Sequence, residues 1–170
     1  MSNYHRATSH CLPAQLRPAL RQAIQVYVEQ HAVGSLEDCL MCCQTVSTKA
    51  PAGWLAAVLS GERDLEYITA LLITPQWLIW ARHGDQTGSA VSGARLKDIQ
   101  VRPVKALLSG DAGLEINGYI EGFAGQMRGT IALGPEPAAR EFLDAAAKAV
   151  SQAHPETTRT FFGIPLLPRK

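Results

Sequence analysis

The spacing of apolar positions changes from helical to alternating and back to helical along this chain. From Leu16, the positions Leu20, Ala23, Ile24, Tyr27, Val28 and His31 recur on one helical face, with Arg17, Arg21, Gln22, Gln25 and Glu29 between them, so an amphipathic helix is predicted over 16–31. Pro13 and Pro18 suit its beginning, where a missing N–H costs nothing, and Gly34 suits its end. Residues 39–49 lean towards strand through Thr45, Val46 and Thr48, although Ser35 with Asp38 also reads as the cap of a short helix. Trp54, Leu55, Val58 and Leu59 follow Pro51 and stop at Ser60-Gly61, which predicts a short helix or apolar loop.

Residues 67–74 and 77–82 are rich in β-branched and aromatic side chains and are split by Pro75-Gln76, the pattern of an antiparallel hairpin with a tight turn. The segment 84–93 is polar and glycine-rich without periodicity and reads as a mobile loop, after which 94–104 returns to an extended pattern. Leu114, Ile116, Gly118 and Ile120 then alternate with Glu115, Asn117, Tyr119 and Glu121, and Met127, Gly129, Ile131 and Leu133 alternate with Gln126, Arg128 and Thr130. Period two with one apolar face predicts two half-buried antiparallel strands.

Gly134 closes the last strand, and Pro135 with Glu136 opens a helix whose stripe is Ala139, Phe142, Leu143, Ala146, Ala149, Val150 and Ala153, ended by His154-Pro155. Beyond it lies a Pro-rich tail in which Phe161, Phe162, Ile164, Leu166 and Leu167 require burial against the domain or a partner.

Composition narrows the classes. At 170 residues and 46% hydrophobic content, one domain with extensions and an ample core is expected. Sixteen basic against fifteen acidic residues leave a formal charge of +1, so no global field draws a phosphate backbone or anionic lipid, and nucleic acid is not an expected partner. Residues 1–11 carry Tyr4, His5, Arg6 and His10 in place of a signal peptide's apolar run. The apolar stretches 54–59 and 68–79 are too short, or too interrupted by Thr74, Pro75 and Gln76, to span a bilayer. A cytoplasmic protein with Cys11, Cys39, Cys42 and Cys43 as reduced thiols is therefore expected.

The cysteine cluster is the one local concentration of chemistry. Cys39-Leu40-Met41-Cys42-Cys43 contains a C-x-x-C, but a structural zinc site needs two more ligands, and only Cys11, His5, His10 and His31 are at hand. On a strand Cys39 and Cys43 face one way and Cys42 the other; on a helix Cys39 and Cys43 share a face. Packed thiols are the favoured reading. A thiol nucleophile would need a base such as His31 or His83, and no local motif selects the pair. Asp85, Asp98, Asp111, Glu115 and Glu121 are scattered surface charge, and Gly122-Phe123-Ala124-Gly125 is a turn without the strand-to-helix context of a phosphate cradle. Trp54, Trp77 and Trp80 read as packing residues. No catalytic residue, metal ligand set or cofactor is assigned.

The order strand, tight turn, strand, glycine-rich loop, Arg95-Leu96-Lys97-Asp98-Ile99, two strands and a terminal helix resembles the pleckstrin-homology-like fold, in its bacterial PH and GRAM branch. Leu71-Leu72-Ile73-Thr74-Pro75-Gln76-Trp77-Leu78-Ile79 matches that branch's hairpin, and Leu96 to Ile99 matches a following Leu-x-x-Ile element. The resemblance covers 36–153. It implies an α+β fold, a bent antiparallel partial barrel closed by the C-terminal helix, here with an additional N-terminal helix. The divisions expected are a helical extension at 1–34, the domain at 35–153 and the apolar tail at 154–170. At one barrel end Lys49, Arg63, Arg82, Arg95 and Lys97 are the candidate ligand-binding residues, an anion site if they converge. The leading expectation is a non-catalytic binding or adaptor module for a protein segment or small ligand, engaged through a sheet edge, the barrel end or the surface shared with the first helix, with a protein partner or homo-oligomer. The alternatives are a small thiol- or metal-dependent enzyme centred on Cys39, Cys42 or Cys43, and recognition of anionic lipid headgroups; membrane contact is disfavoured.

Overall fold

The computed structural model describes residues 4–49, 66–105 and 112–154. The short helix or loop expected around Trp54, the candidate cation Arg63 and the apolar tail lie outside the described residues. Eight strands and two helices follow in order: β1 (Tyr4–His10), α1 (Pro18–Gln30), β2 (Met41–Lys49), β3 (Glu66–Ile73), β4 (Trp77–Gly84), β5 (Gly88–Arg95), β6 (Ile99–Lys105), β7 (Ala112–Tyr119), β8 (Gln126–Leu133) and α2 (Pro137–Ala153). Short 3-10 turns at Pro13–Gln15, Leu36–Asp38 and Leu96–Asp98 link them. The strands form an antiparallel five-stranded sheet ordered β1-β2-β3-β4-β5 and an antiparallel three-stranded sheet ordered β6-β7-β8. The class is α+β, with both helices packed on the sheets; among the described residues the sheets do not close into a barrel.

The large sheet is covered on both faces, which explains why β3 is apolar at nearly every position rather than at alternate ones. Ile68, Ala70 and Leu72 point into a core shared with Leu20, Ile24, Tyr27 and Val28 of α1. Leu71 and Ile73 point the other way, into a core shared with Leu114 and Ile116 of β7 and with Ala139, Phe142, Leu143, Ala146 and Val150 of α2. Each fully buried Leu, Ile or Phe in such a core contributes on the order of 1.5–3 kcal/mol relative to exposure.

α1 forms where its periodicity predicts, with Pro18 in the first turn. Its end differs in detail: Ala32, at φ +49°, takes the left-handed position after the helix, and Gly34 follows at φ +113°. The His31 amide bonds the Tyr27 carbonyl at 3.0 Å and the Val33 amide bonds the Val28 carbonyl at 3.1 Å, satisfying two carbonyls of the last turn. α2 also matches its predicted stripe, but Pro137, not Pro135, occupies the first turn.

The 75–76 turn joins β3 and β4 as expected. The Thr74 amide donates to the Trp77 carbonyl at 2.9 Å, and the Trp77 amide donates to Thr74 Oγ1 at 3.1 Å, so the threonine hydroxyl replaces a backbone acceptor. Two other expectations are corrected. Residues 84–93 are not a mobile loop: β4 and β5 make a hairpin with Gly84 paired to Gly88, the latter at φ +72°. The small side chains of β5 suit close packing by α1, since a Cβ on Gly93 would stand 2.8 Å from the Tyr27 hydroxyl.

The N-terminal segment, expected to contribute only a helix, also supplies β1, which pairs with β2 along its length. Its inward residues are Arg6 and Thr8, both buried, so no apolar alternation marks it. Thr8 Oγ1 shares a 2.8 Å hydrogen bond with Thr45 Oγ1 and accepts the Gly134 amide at 2.8 Å, while the Thr8 amide donates to Glu136 Oε2 at 2.8 Å. These bonds fasten β1 to the junction between β8 and α2.

Candidate functional site

β5 is an outer strand of the large sheet, and α1 lies beside it. The core-facing stripe of α1 leaves a second line of small apolar residues, Ala19, Ala23 and Val26, at the same helical spacing on its flank. With Gln22, Tyr27 and Gln30, and with Ser89 and Val91 of β5, they enclose an open groove of about 520 Å³. Val26 is 45% exposed there. The backbone completes the geometry. The Glu121 amide donates to the Gly93 carbonyl at 2.9 Å on the outer edge of β5. By the alternation of an antiparallel ladder, Val91 and Ser89 turn their N–H and C=O groups the same way. Among the described residues no backbone group pairs with those two on that side. Their side chains and their unpaired backbone therefore address one strip of surface.

The groove's lining is uncharged, and Glu121, whose amide bonds Gly93, lies beyond it along β5. Glu121 lies 3.7 Å from His31 Nδ1, and the His31 ring packs 4.3 Å from the Tyr27 ring. Burial, aided by the negative charge of Glu121, pushes the Tyr27 hydroxyl up to about 12, so it keeps its proton. That hydroxyl is buried without a hydrogen-bond partner among the described residues, an arrangement that costs about 1–3 kcal/mol.

The candidate cations are spread over the large sheet. The register pairs Arg95 with Trp77 and Arg82 with Ala90, placing the two arginines roughly 17 Å apart along β4. Lys49 ends β2 opposite Tyr4, towards the Arg82 end, and Lys97 lies in the turn after Arg95. The Arg82 guanidinium stacks 3.8 Å over the Tyr67 ring, and that of Arg95 lies 5.2 Å from the centre of the Trp77 ring. Lys97 joins Gln100, Asn117 and His154 around a shallow pocket of about 300 Å³. The four described cations thus form two pairs at opposite ends and do not make one anion site.

The cysteines are arranged differently from the strand alternation expected of 39–43. β2 begins at Met41, so Cys39 precedes the strand and packs beside the α1 core that also holds Cys42. Cys43 faces the α2 core. The thiol brought nearest to Cys42 is Cys11, with 3.4 Å between the sulfurs. His83 bonds Ser89 Oγ at 2.8 Å, and His31 meets Tyr27 and Glu121. Among the described residues no three His, Cys, Asp or Glu gather as a metal site. Trp77 is buried and Trp80 packs against the α2 core.

Sequence reasoning missed the groove. The line Ala19, Ala23, Val26 was a legible signal, being a second apolar line beside the core stripe. The partner strand was masked by its glycines and serines. No family model matches the chain, and comparison with curated proteins and with solved structures gave no significant match.

Proposed function

We propose that this protein is a non-catalytic binding module that takes an extended protein segment as an added strand on β5. The observation that carries the reading is the coincidence, at Ser89 and Val91, of outward backbone groups unpaired among the described residues with side chains that line an apolar groove. Strand addition draws its affinity from main-chain hydrogen bonds and its specificity from pockets for alternate side chains. Alternate residues of such a segment would lie against Ala23 and Val26, a space suited to small or medium apolar side chains, while Glu121 favours a basic residue near one end. The PH-like framework is part of the same proposal. It is supported by the consecutive order of β2 to β5 within the five-stranded sheet, by β6 to β8 as a second sheet, and by α2 packed on them.

The test is selection of peptides from a random library, followed by hydrogen exchange and titration with the enriched peptide. Binding is expected to slow exchange at the Ser89 and Val91 amides. Val91→Pro removes one outward N–H at an edge position where proline is tolerated, and is expected to weaken binding at least about tenfold, the equivalent of 1.4 kcal/mol, in a protein that still folds. Enriched peptides that bind Val91→Pro equally well and leave both amides unprotected would overturn the reading.

A further inference from the structure

Cys11 and Cys42 are 31 positions apart in sequence yet form a directly opposed pair. The β1 and β2 register, which ends at His10 opposite Cys43, continues by one step, and the Cys11 amide donates to the Cys42 carbonyl at 3.2 Å. A hydrogen-bonded antiparallel pair separates its Cα atoms by about 5.5 Å, inside the roughly 4.4–6.8 Å that a disulfide spans. The sulfurs already stand at 3.4 Å. We infer that Cys11 and Cys42 are a peroxide-sensitive thiol pair that closes to an intramolecular disulfide.

The environments of the two thiols divide the labour. Cys11 is half-buried at the end of β1, whereas Cys42 is buried among the residues under α1. Cys11 keeps part of its surface in solvent, and its neighbour Leu12, together with Cys39, lines an open pocket of about 840 Å³. The hydrogen bond from the Cys42 thiol lowers the Cys11 pKa, and the same pairing together with burial raises that of Cys42. Cys11 is therefore the more acidic thiol, the one that attacks as thiolate, and Cys42 the resolving thiol. In the first step the Cys11 sulfur attacks one peroxide oxygen; an S–O bond forms, the O–O bond breaks, and the departing hydroxide takes a proton to become water. In the second, the Cys42 sulfur attacks the Cys11 sulfenic sulfur; the S–S bond forms, the S–O bond breaks, and the hydroxide leaves with the Cys42 proton as a second water. Two thiols are oxidised to one disulfide and one hydrogen peroxide is reduced to two waters. Cys39 donates to the Met41 carbonyl at 3.2 Å and burial raises its pKa; Cys43, on the opposite face, is fully buried with its pKa raised likewise. Neither takes part.

The experiment treats the reduced full chain with stoichiometric hydrogen peroxide and reads intact mass and disulfide-linked peptides. The expected result is the loss of two hydrogens, reversed by dithiothreitol, with the link mapped to Cys11 and Cys42. Cys42→Ala is expected to leave a sulfenic acid on Cys11 that dimedone traps, and Cys11→Ser to abolish the reaction. An unchanged wild-type mass, a link that includes Cys39 or Cys43, or a link between two chains would each overturn the inference. The wild-type readout decides the matter even if a variant fails to fold.

Discussion

Ala32 holds a backbone conformation that costs an L-residue about 1–2 kcal/mol, because its Cβ crowds the following carbonyl. It does so at φ +49°, exposed, where the chain leaves α1. The amide of the next residue, Val33, then bonds the Val28 carbonyl. Glycine removes the crowding and gives back only about 0.4–1 kcal/mol through a more flexible unfolded chain. Ala32→Gly is therefore expected to stabilise the protein by about 1 kcal/mol, seen as a higher urea midpoint at unchanged slope. A lower midpoint would show that the methyl group makes a contact worth more than the strain. Proximity of thiols was beyond reach at this scale, because pairing Cys11 with Cys42 requires the register of two strands and not the spacing of C-x-x-C.

Among the elements, β7 shows how a strand with one wet face is held from that side too. Glu115 accepts from Arg102 on β6 and, at 2.8 Å, from Arg128 on β8. Those bonds, Arg102 first, pull its carboxyl down to about 2, against about 4.3 for an unfolded glutamate. A depressed folded value means that the charged form stabilises the fold above the unfolded pKa and that this contribution fades as pH falls from about 4.3 towards 2. Urea melts across pH should show the stability difference between the native protein and Glu115→Gln constant above about pH 5 and shrinking below it. A difference that persists undiminished at the acid end would assign the effect to something other than the charge. Both helices and the alternation of β7 and β8 were legible because each buries one face against a core, and the 75–76 hairpin because its turn splits two apolar runs that are buried on both faces. β1 and β5 were not. The inward positions of β1 are the polar residues Arg6 and Thr8, the latter bonded to Thr45 and Gly134, and those of β5 are kept small by the approach of Tyr27, so neither carries an apolar period. The groove beside β5 was hidden for the same reason, and the rim of cations inferred from the PH-like resemblance depended on a convergence that strand register alone decides.

At the scale of the whole molecule, one sheet serves two cores, and β3 has side chains in both. Opening either core exposes the same strand. Leu20→Ala beneath α1 and Phe142→Ala beneath α2 are each expected to cost about 2–5 kcal/mol. Both are expected to shift one common transition, with fluorescence and circular dichroism coinciding. A separate early transition in Leu20→Ala alone would make the α1 layer an independent unit. Thr8 adds a constraint of a different kind, because its hydroxyl and amide wait for Gly134 and Glu136, 126 and 128 positions further on. At a synthesis rate of roughly 5–20 residues per second, β1 spends about 6–25 s without those partners. During that interval β1 can pair with β2, but its outer side stays open on the ribosome, and it is sealed only when the chain has been read through to the start of α2.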